Sequence, residues 1–253
     1  VSLNNFAGIL TPRLCGYPDD FARHSRFLSK YPNKVTVIPP PVELPDPSAA
    51  EVAAWAAEQG IDANTRPIIG IAARLAAEKG VEYLLEALPI ILARYPNARV
   101  LHAGPTESVI GEGAYLKKLR PLLDQYREHY FFLGPLTQHQ IALLFSNCDV
   151  HVLPSINNTE TFGLVQIEAA LCGAPTVASA LPGVRVPTKV TGMGLTVPPM
   201  DSAALAEGIL KVLDNRSDYV RPRAEIETLF STQTTASHYE DWFYTELKKR
   251  GRL

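Results

Sequence analysis

The sequence is poor in whatever would staple, ligate or anchor a chain. It has three cysteines, Cys15, Cys148 and Cys172, far apart and without a C-x-x-C pair. That argues against a disulfide framework or a zinc site and leaves reduced structural thiols as the expectation. Its six histidines are scattered, and none shows the i, i+4 ligand spacing with acidic support that metal sites use. No apolar run approaches the ~20 residues of a membrane span, and no secretory signal is visible. Neither sign of charge dominates, with 24 basic against 26 acidic residues and a net charge of -2. A general nucleic-acid or membrane-surface binder is therefore not indicated. The phosphate loop G-x-x-x-x-G-K-[ST], a G-x-G-x-x-G after a strand and the G-x-S-x-G nucleophile elbow are all missing. Internal repeats and low-complexity segments are absent too. The first residue is Val1, not Met, and the expectation is a chain cut from something longer, or one whose start is missing or cleaved.

What is present is a regular alternation. The 253 residues are 46% hydrophobic and 20% charged, ample for a sizeable core. "VTVIPPPVELP" reads as a short strand, Val35 to Ile38, followed by a connector in which three successive prolines continue neither sheet nor helix. A short helix over 49–59 follows. Then comes a continuous apolar run fit for a buried parallel strand at 67–73, followed by strands read at 98–104, 130–134, 149–154, 175–179 and 194–199. Helical spacing lies between them at 81–96, 114–129, 137–148 and 163–173, and again at 202–215 behind an Asp201 cap. Two helices near 217–230 and 233–249 close the chain. The order predicts an α/β fold, a Rossmann-like parallel sheet with helices on both faces.

Ligands of such sheets sit at the carboxyl ends of the strands. The segments there are 73–80, 104–113, 134–137, 154–163 and 179–194, and they hold Arg74, Lys79, Glu160 and Arg185. An arginine fork beside a lysine suits a diphosphate, although basic residues are equally at home on a solvated helix start. Thr161-Phe162-Gly163 leads into a helix whose free N–H groups attract phosphate, or into an ordinary N-terminus capped by Thr159 or Thr161. Glu168 stands in an otherwise nearly apolar helix. A carboxylate there calls for a strong partner, an internal cation or the two hydroxyls of a ribose, unless its side chain reaches the surface near the helix start.

Several segments in register resemble one family. "ETFGLVQIE" resembles the E-x7-E motif of the retaining GT-B glycosyltransferases, glycosyltransferase family 4 (glycosyl transferases group 1). "ARLAAEKG" resembles that family's G-R-L-x-x-x-K-G loop, and "EAALCGAPTVAS" its E-A-x-x-x-G-x-P-V-V-A-S run. The similarity spans about 35–250. It implies the C-terminal, donor-binding domain of a GT-B fold: 1–45 as a remnant of the N-terminal acceptor domain plus linker, 46–232 as the Rossmann-like donor domain, and 233–253 as a crossing helix.

Carried over residue by residue, the resemblance gives Arg74 and Lys79 to the donor diphosphate, Glu160 to the transferred sugar and Glu168 to the ribose hydroxyls. It adds Thr161, Phe162, Gly163 and Leu164 around sugar and phosphate, Ser155 beside them, and Leu136 near the base. It further implies a UDP-sugar or GDP-sugar as donor, no cofactor and no metal. The acceptor is an unspecified sugar, lipid or small molecule, with no nucleic acid and no transmembrane segment. The full-length protein is expected in the cytoplasm, or peripheral to the inner membrane. The sequence departs from the family at Ala73, where a glycine is usual, at Asn157–Thr159, which lengthen the loop, and in "PGVRVPTKVTGMG", where Arg185 and Lys189 add charge. The alternative is a nucleotide-sugar-binding module that is inactive without its N-terminal domain. A nucleotide-sugar epimerase is a weaker reading, against which the E-x7-E spacing speaks.

Overall fold

The alternation becomes a six-stranded parallel sheet in the computed structural model. The structure describes residues 9–10, 35–36, 38–106, 112–157, 160 and 162–252. In chain order the elements are β1 (Ile9–Leu10), β2 (Val35–Thr36), α1 (Ala49–Glu58), β3 (Ile68–Ala72), α2 (Val81–Arg94), β4 (Arg99–Ala103), α3 (Glu112–Gln125), β5 (Tyr130–Gly134), α4 (Gln138–Asn147) and β6 (Val150–Leu153). They continue with α5 (Val165–Leu171), β7 (Thr176–Ser179), α6 (Arg185–Thr191), β8 (Gly194–Val197), α7 (Ser202–Asp214), α8 (Arg223–Phe230) and α9 (Thr232–Lys249). β1 and β2 form a separate two-residue parallel pair. The main sheet runs β5-β4-β3-β6-β7-β8.

Side chains alternate across the pleat, so each strand feeds both faces. Ile69 and Ile71 of β3 join Val100, Val150, Val152 and Val177 in one core, covered by Leu84, Leu88 and Ile91 of α2 and by Leu205, Ile209 and Val212 of α7. Ile68 and Leu101 point the other way, to Trp55 of α1 and Leu144 and Phe145 of α4. Each fully buried aliphatic side chain contributes roughly 1.5–3 kcal/mol. Local chemistry fixes the helix starts. Ser48 with Glu51, and Thr137 with Gln140, close reciprocal capping boxes, and Asp201 accepts from the Ala204 N–H at 2.8 Å.

Three expectations need correction. The segment 179–194, read as a loop, contains α6; Pro187 falls in its first turn, where a missing N–H breaks no intrahelical bond. The helix expected near 217–230 divides into a short 3₁₀ turn, Arg216–Tyr219, and α8, because Pro222 disfavours helical backbone at the residue before it. The helix read over 163–173 is α5 alone, since Gly163 and Gly173 both take positive φ, at 74° and 76°.

The segment 38–48 forms no regular element. It is held by the Val42 N–H to the Phe230 carbonyl at 2.8 Å and by the Thr235 hydroxyl to the Pro39 carbonyl at 3.1 Å. Val42 and Leu44 are buried with Phe162, Ile226 and Phe230. This anchoring brings the linker against the loop after β6.

Candidate active site

The strand order places a switch point between β3 and β6. Successive connections leave these two neighbours in opposite directions along the sheet, so the loops after them part and leave a crevice at their carboxyl ends. The loop after β3 is tightly held. His102 lies fully buried on β4, its Nε2 donating to the Ala73 carbonyl at 2.8 Å and its Nδ1 accepting from the Tyr130 hydroxyl at 2.7 Å. Burial pushes this imidazole down to about pKa 4, so it stays neutral. The Leu75 N–H reaches the Pro105 carbonyl at 3.0 Å. The Ile156 N–H donates to the Glu78 carbonyl at 3.0 Å, tying the loop after β6 to the loop after β3. Gly80 makes that approach possible: its φ is +64°, and a Cβ there would lie 2.1 Å from the Pro154 carbonyl oxygen.

A hollow of about 460 Å³ opens at this point. Lys79 enters from the β3 side and Glu160 from the β6 side, and Lys79 Nζ lies 2.6 Å from Glu160 Oε2. Phe162, Gly163 and Leu164 line the hollow with their segment, Glu168 one turn into α5 and Pro40 from the linker. Among the described residues no side chain caps α5. Glu168 is half-buried, and desolvation raises its carboxyl pKa above the usual range. Leu164 and Glu168 also border a second hollow of about 420 Å³, closed by Glu43, Gln138 and Thr232. The two hollows share Leu164 and Glu168 in their linings.

The structure thus brings together Lys79, Glu160, Phe162, Gly163, Leu164 and Glu168. Three other residues stand apart. Arg74 is paired with Glu78 and does not line the hollow. Ser155 is wholly buried and does not line the hollow, its Oγ without a hydrogen-bond partner among the described residues. Leu136 packs into the apolar cluster of Trp55 and Leu144, while Gln138, two residues on, borders the second hollow. Thr161, Thr159 and residues 107–111 lie outside the described residues, as does Cys15. Cys148 is buried and burial pushes its thiol up, as it does for Cys172, to about 11. Among the described residues no three His, Cys, Asp or Glu side chains gather as a metal site would require, and no helix is long and apolar enough to cross a membrane.

Sequence reasoning missed His102, Pro40 and Gln138. His102 carries no local signal, because its partners come from other strands. Pro40 lines the hollow on a segment that Val42 and Pro39 bond to Phe230 and Thr235, far along the chain.

A profile of the family described as glycosyl transferases group 1 matches residues 55–227. The chain belongs to this family. Curated group 1 relatives include the GDP-mannose-dependent monoacylated alpha-(1-6)-phosphatidylinositol monomannoside mannosyltransferase of Corynebacterium glutamicum, 30% identical over 60% of this chain and 39% of that protein. The D-inositol 3-phosphate glycosyltransferase of Mycobacteroides abscessus is 30% identical over 81% of this chain and 45% of that protein. The chain spans less than half the length of these two relatives. Among solved structures, Anabaena HepE in complex with UDP superposes with a TM-score of 0.77 at 20% identity, covering 94% of this chain and 64% of that one. That likeness bears on the fold, the Rossmann-like half of GT-B glycosyltransferases. Glu160 and Glu168, eight positions apart in the chain, border the same hollow.

Proposed function

We propose that this chain is the donor-binding half of a retaining glycosyltransferase, which moves a sugar from a UDP- or GDP-sugar to a sugar, lipid or small-molecule acceptor. The observation that carries the reading is the meeting of Lys79, Glu160 and Glu168 in one hollow at the switch point of the sheet. Lys79, joined by Arg74, takes the diphosphate, since cations beside an N–H-rich helix start stabilise charge developing on a leaving phosphate. Glu168 accepts hydrogen bonds from the ribose diol. The diol supplies hydrogen-bond donors to a half-buried carboxylate that desolvation disfavours as an anion. Glu160 and the backbone of Phe162–Leu164 address the sugar. Catalysis rests on position and electrostatics without a metal, and the leaving phosphate receives the acceptor's proton on the face it departs from. The GDP-mannose dependence in the name of the Corynebacterium relative supports a guanine nucleotide as one of the donors to test. The remainder of the enzyme is an N-terminal domain that binds the acceptor.

Calorimetric titration with UDP, GDP and ADP tests the site. One nucleotide is expected to bind selectively, and Glu168→Ala to weaken it by about 10- to 100-fold, the worth of one or two charge-assisted hydrogen bonds. Equal affinity in both proteins would remove Glu168 from the ribose. Proton NMR of sugar released by slow donor hydrolysis tests retention, where an inverted anomer would refute it. Chelation of divalent metal is expected to leave binding unchanged.

A further inference from the structure

Both cations of the β3 loop already have carboxylate partners. Lys79 holds Glu160 across the hollow, with the two side chains only 19% and 17% exposed. Arg74 holds Glu78 within its own loop, and its guanidinium therefore rests outside the hollow. The backbone of Glu78 is fixed by the Ile156 N–H on its carbonyl, while its half-buried carboxylate pairs with the more exposed Arg74. An anion that takes these cations does not meet free charges; it must replace two carboxylates.

Resting on the donor-site reading above, we propose that Glu78 and Glu160 are displaceable counter-ions of the diphosphate, and that Glu78 sets how tightly a nucleoside diphosphate is held. Replacement at Lys79 releases the Glu160 carboxylate into the hollow, where the sugar arrives. Replacement at Arg74 frees its fork to turn from Glu78 to the phosphates. The two exchanges make anion binding and exposure of Glu160 one event. They also make Glu78 a competitor of the ligand, not part of its cradle.

The test is titration of UDP, GDP and ADP into the chain and its Glu78→Gln and Glu86→Gln variants, at low and at high salt. Glu86 is exposed on the neighbouring helix and removes the same unit of charge at a distance. Glu78→Gln is expected to tighten binding about two- to fivefold, the worth of a partly exposed ion pair, with the gain shrinking at high salt. Glu86→Gln is expected to change nothing, and the gain should vanish in an Arg74→Met background. Tighter binding cannot arise from a damaged fold, so the expected result is not open to that explanation. Unchanged or weaker binding in Glu78→Gln would overturn the proposal and make Glu78 a support for Arg74. An equal gain in Glu86→Gln, or one that survives Arg74→Met, would overturn it as well. Silence of every protein towards all three nucleotides would overturn the donor-site reading itself, and this inference with it.

Discussion

Gly60 and Gly80 offer a controlled measurement of what holds the crevice in shape. Both take left-handed φ, +63° and +64°. A Cβ at Gly60 meets nothing within 4 Å, whereas one at Gly80 would lie 2.1 Å from the Pro154 carbonyl oxygen and 2.9 Å from Ile156 Cγ2. An alanine in left-handed backbone costs roughly 1–2 kcal/mol at either position. At Gly80 the clash is with backbone that cannot swing aside, and forced displacement of packed atoms adds roughly 1–3 kcal/mol. For a chain of this length each kcal/mol moves the melting temperature by about 2–4 °C. Scanning calorimetry should therefore place Gly80→Ala several degrees below Gly60→Ala. The displacement also moves Lys79, the preceding residue. Nucleoside diphosphate affinity should fall in Gly80→Ala and stay unchanged in Gly60→Ala. Equal melting temperatures would refute the argument that the two loops are locked by close backbone contact.

Glu168→Gln should raise the melting temperature at neutral pH while weakening nucleotide binding. The folded state raises this carboxyl pKa by desolvation, so its stabilising share is present below the unfolded value and lost as pH rises through the folded one; a neutral amide escapes that loss. A melting temperature that falls would show that Glu168 has an internal cationic partner. His102 and His151 should make the chain acid-sensitive, since burial holds them at about 4 and about 3. The unfolded imidazoles protonate near 6.5, so stability is full above that value and falls by up to about 1.4 kcal/mol per pH unit for each histidine as pH drops towards 4. Melting curves of His151→Asn should show a shallower decline over that window, and an identical slope would rule its histidine out as a source. Gln166→Leu removes a buried donor from the Val184 carbonyl at 2.8 Å and should cost about 1–3 kcal/mol in denaturant unfolding. A loss below that range would mean that the start of α6 is held by other contacts.

How much of this was legible depends on where each signal is written. The strands of the main sheet are local statements: Ile68–Ala72 is an apolar run too short for a helix, and Val150–Leu153 is equally short and apolar but for His151. The starts of α4 and α7 are equally local, because Thr137 and Asp201 bond to N–H groups three residues on. Residues 185–191 misled because glycines and prolines flank and enter them, yet Pro187 falls where a helix tolerates it. The motif residues Lys79, Glu160 and Glu168 were readable as types, but their meeting was not. Lys79 and Glu160 stand 81 positions apart in the chain. They come within hydrogen-bonding distance only because β6 pairs with β3 after two crossovers have gone the other way. Arg74 shows the limit from the opposite side. Its place in the loop marks it for phosphate, but only the folded backbone reveals that Glu78, four residues on, already holds it. Spacing therefore locates charges along the chain, while strand order and the ion pairs it permits decide which of them a ligand has to compete for.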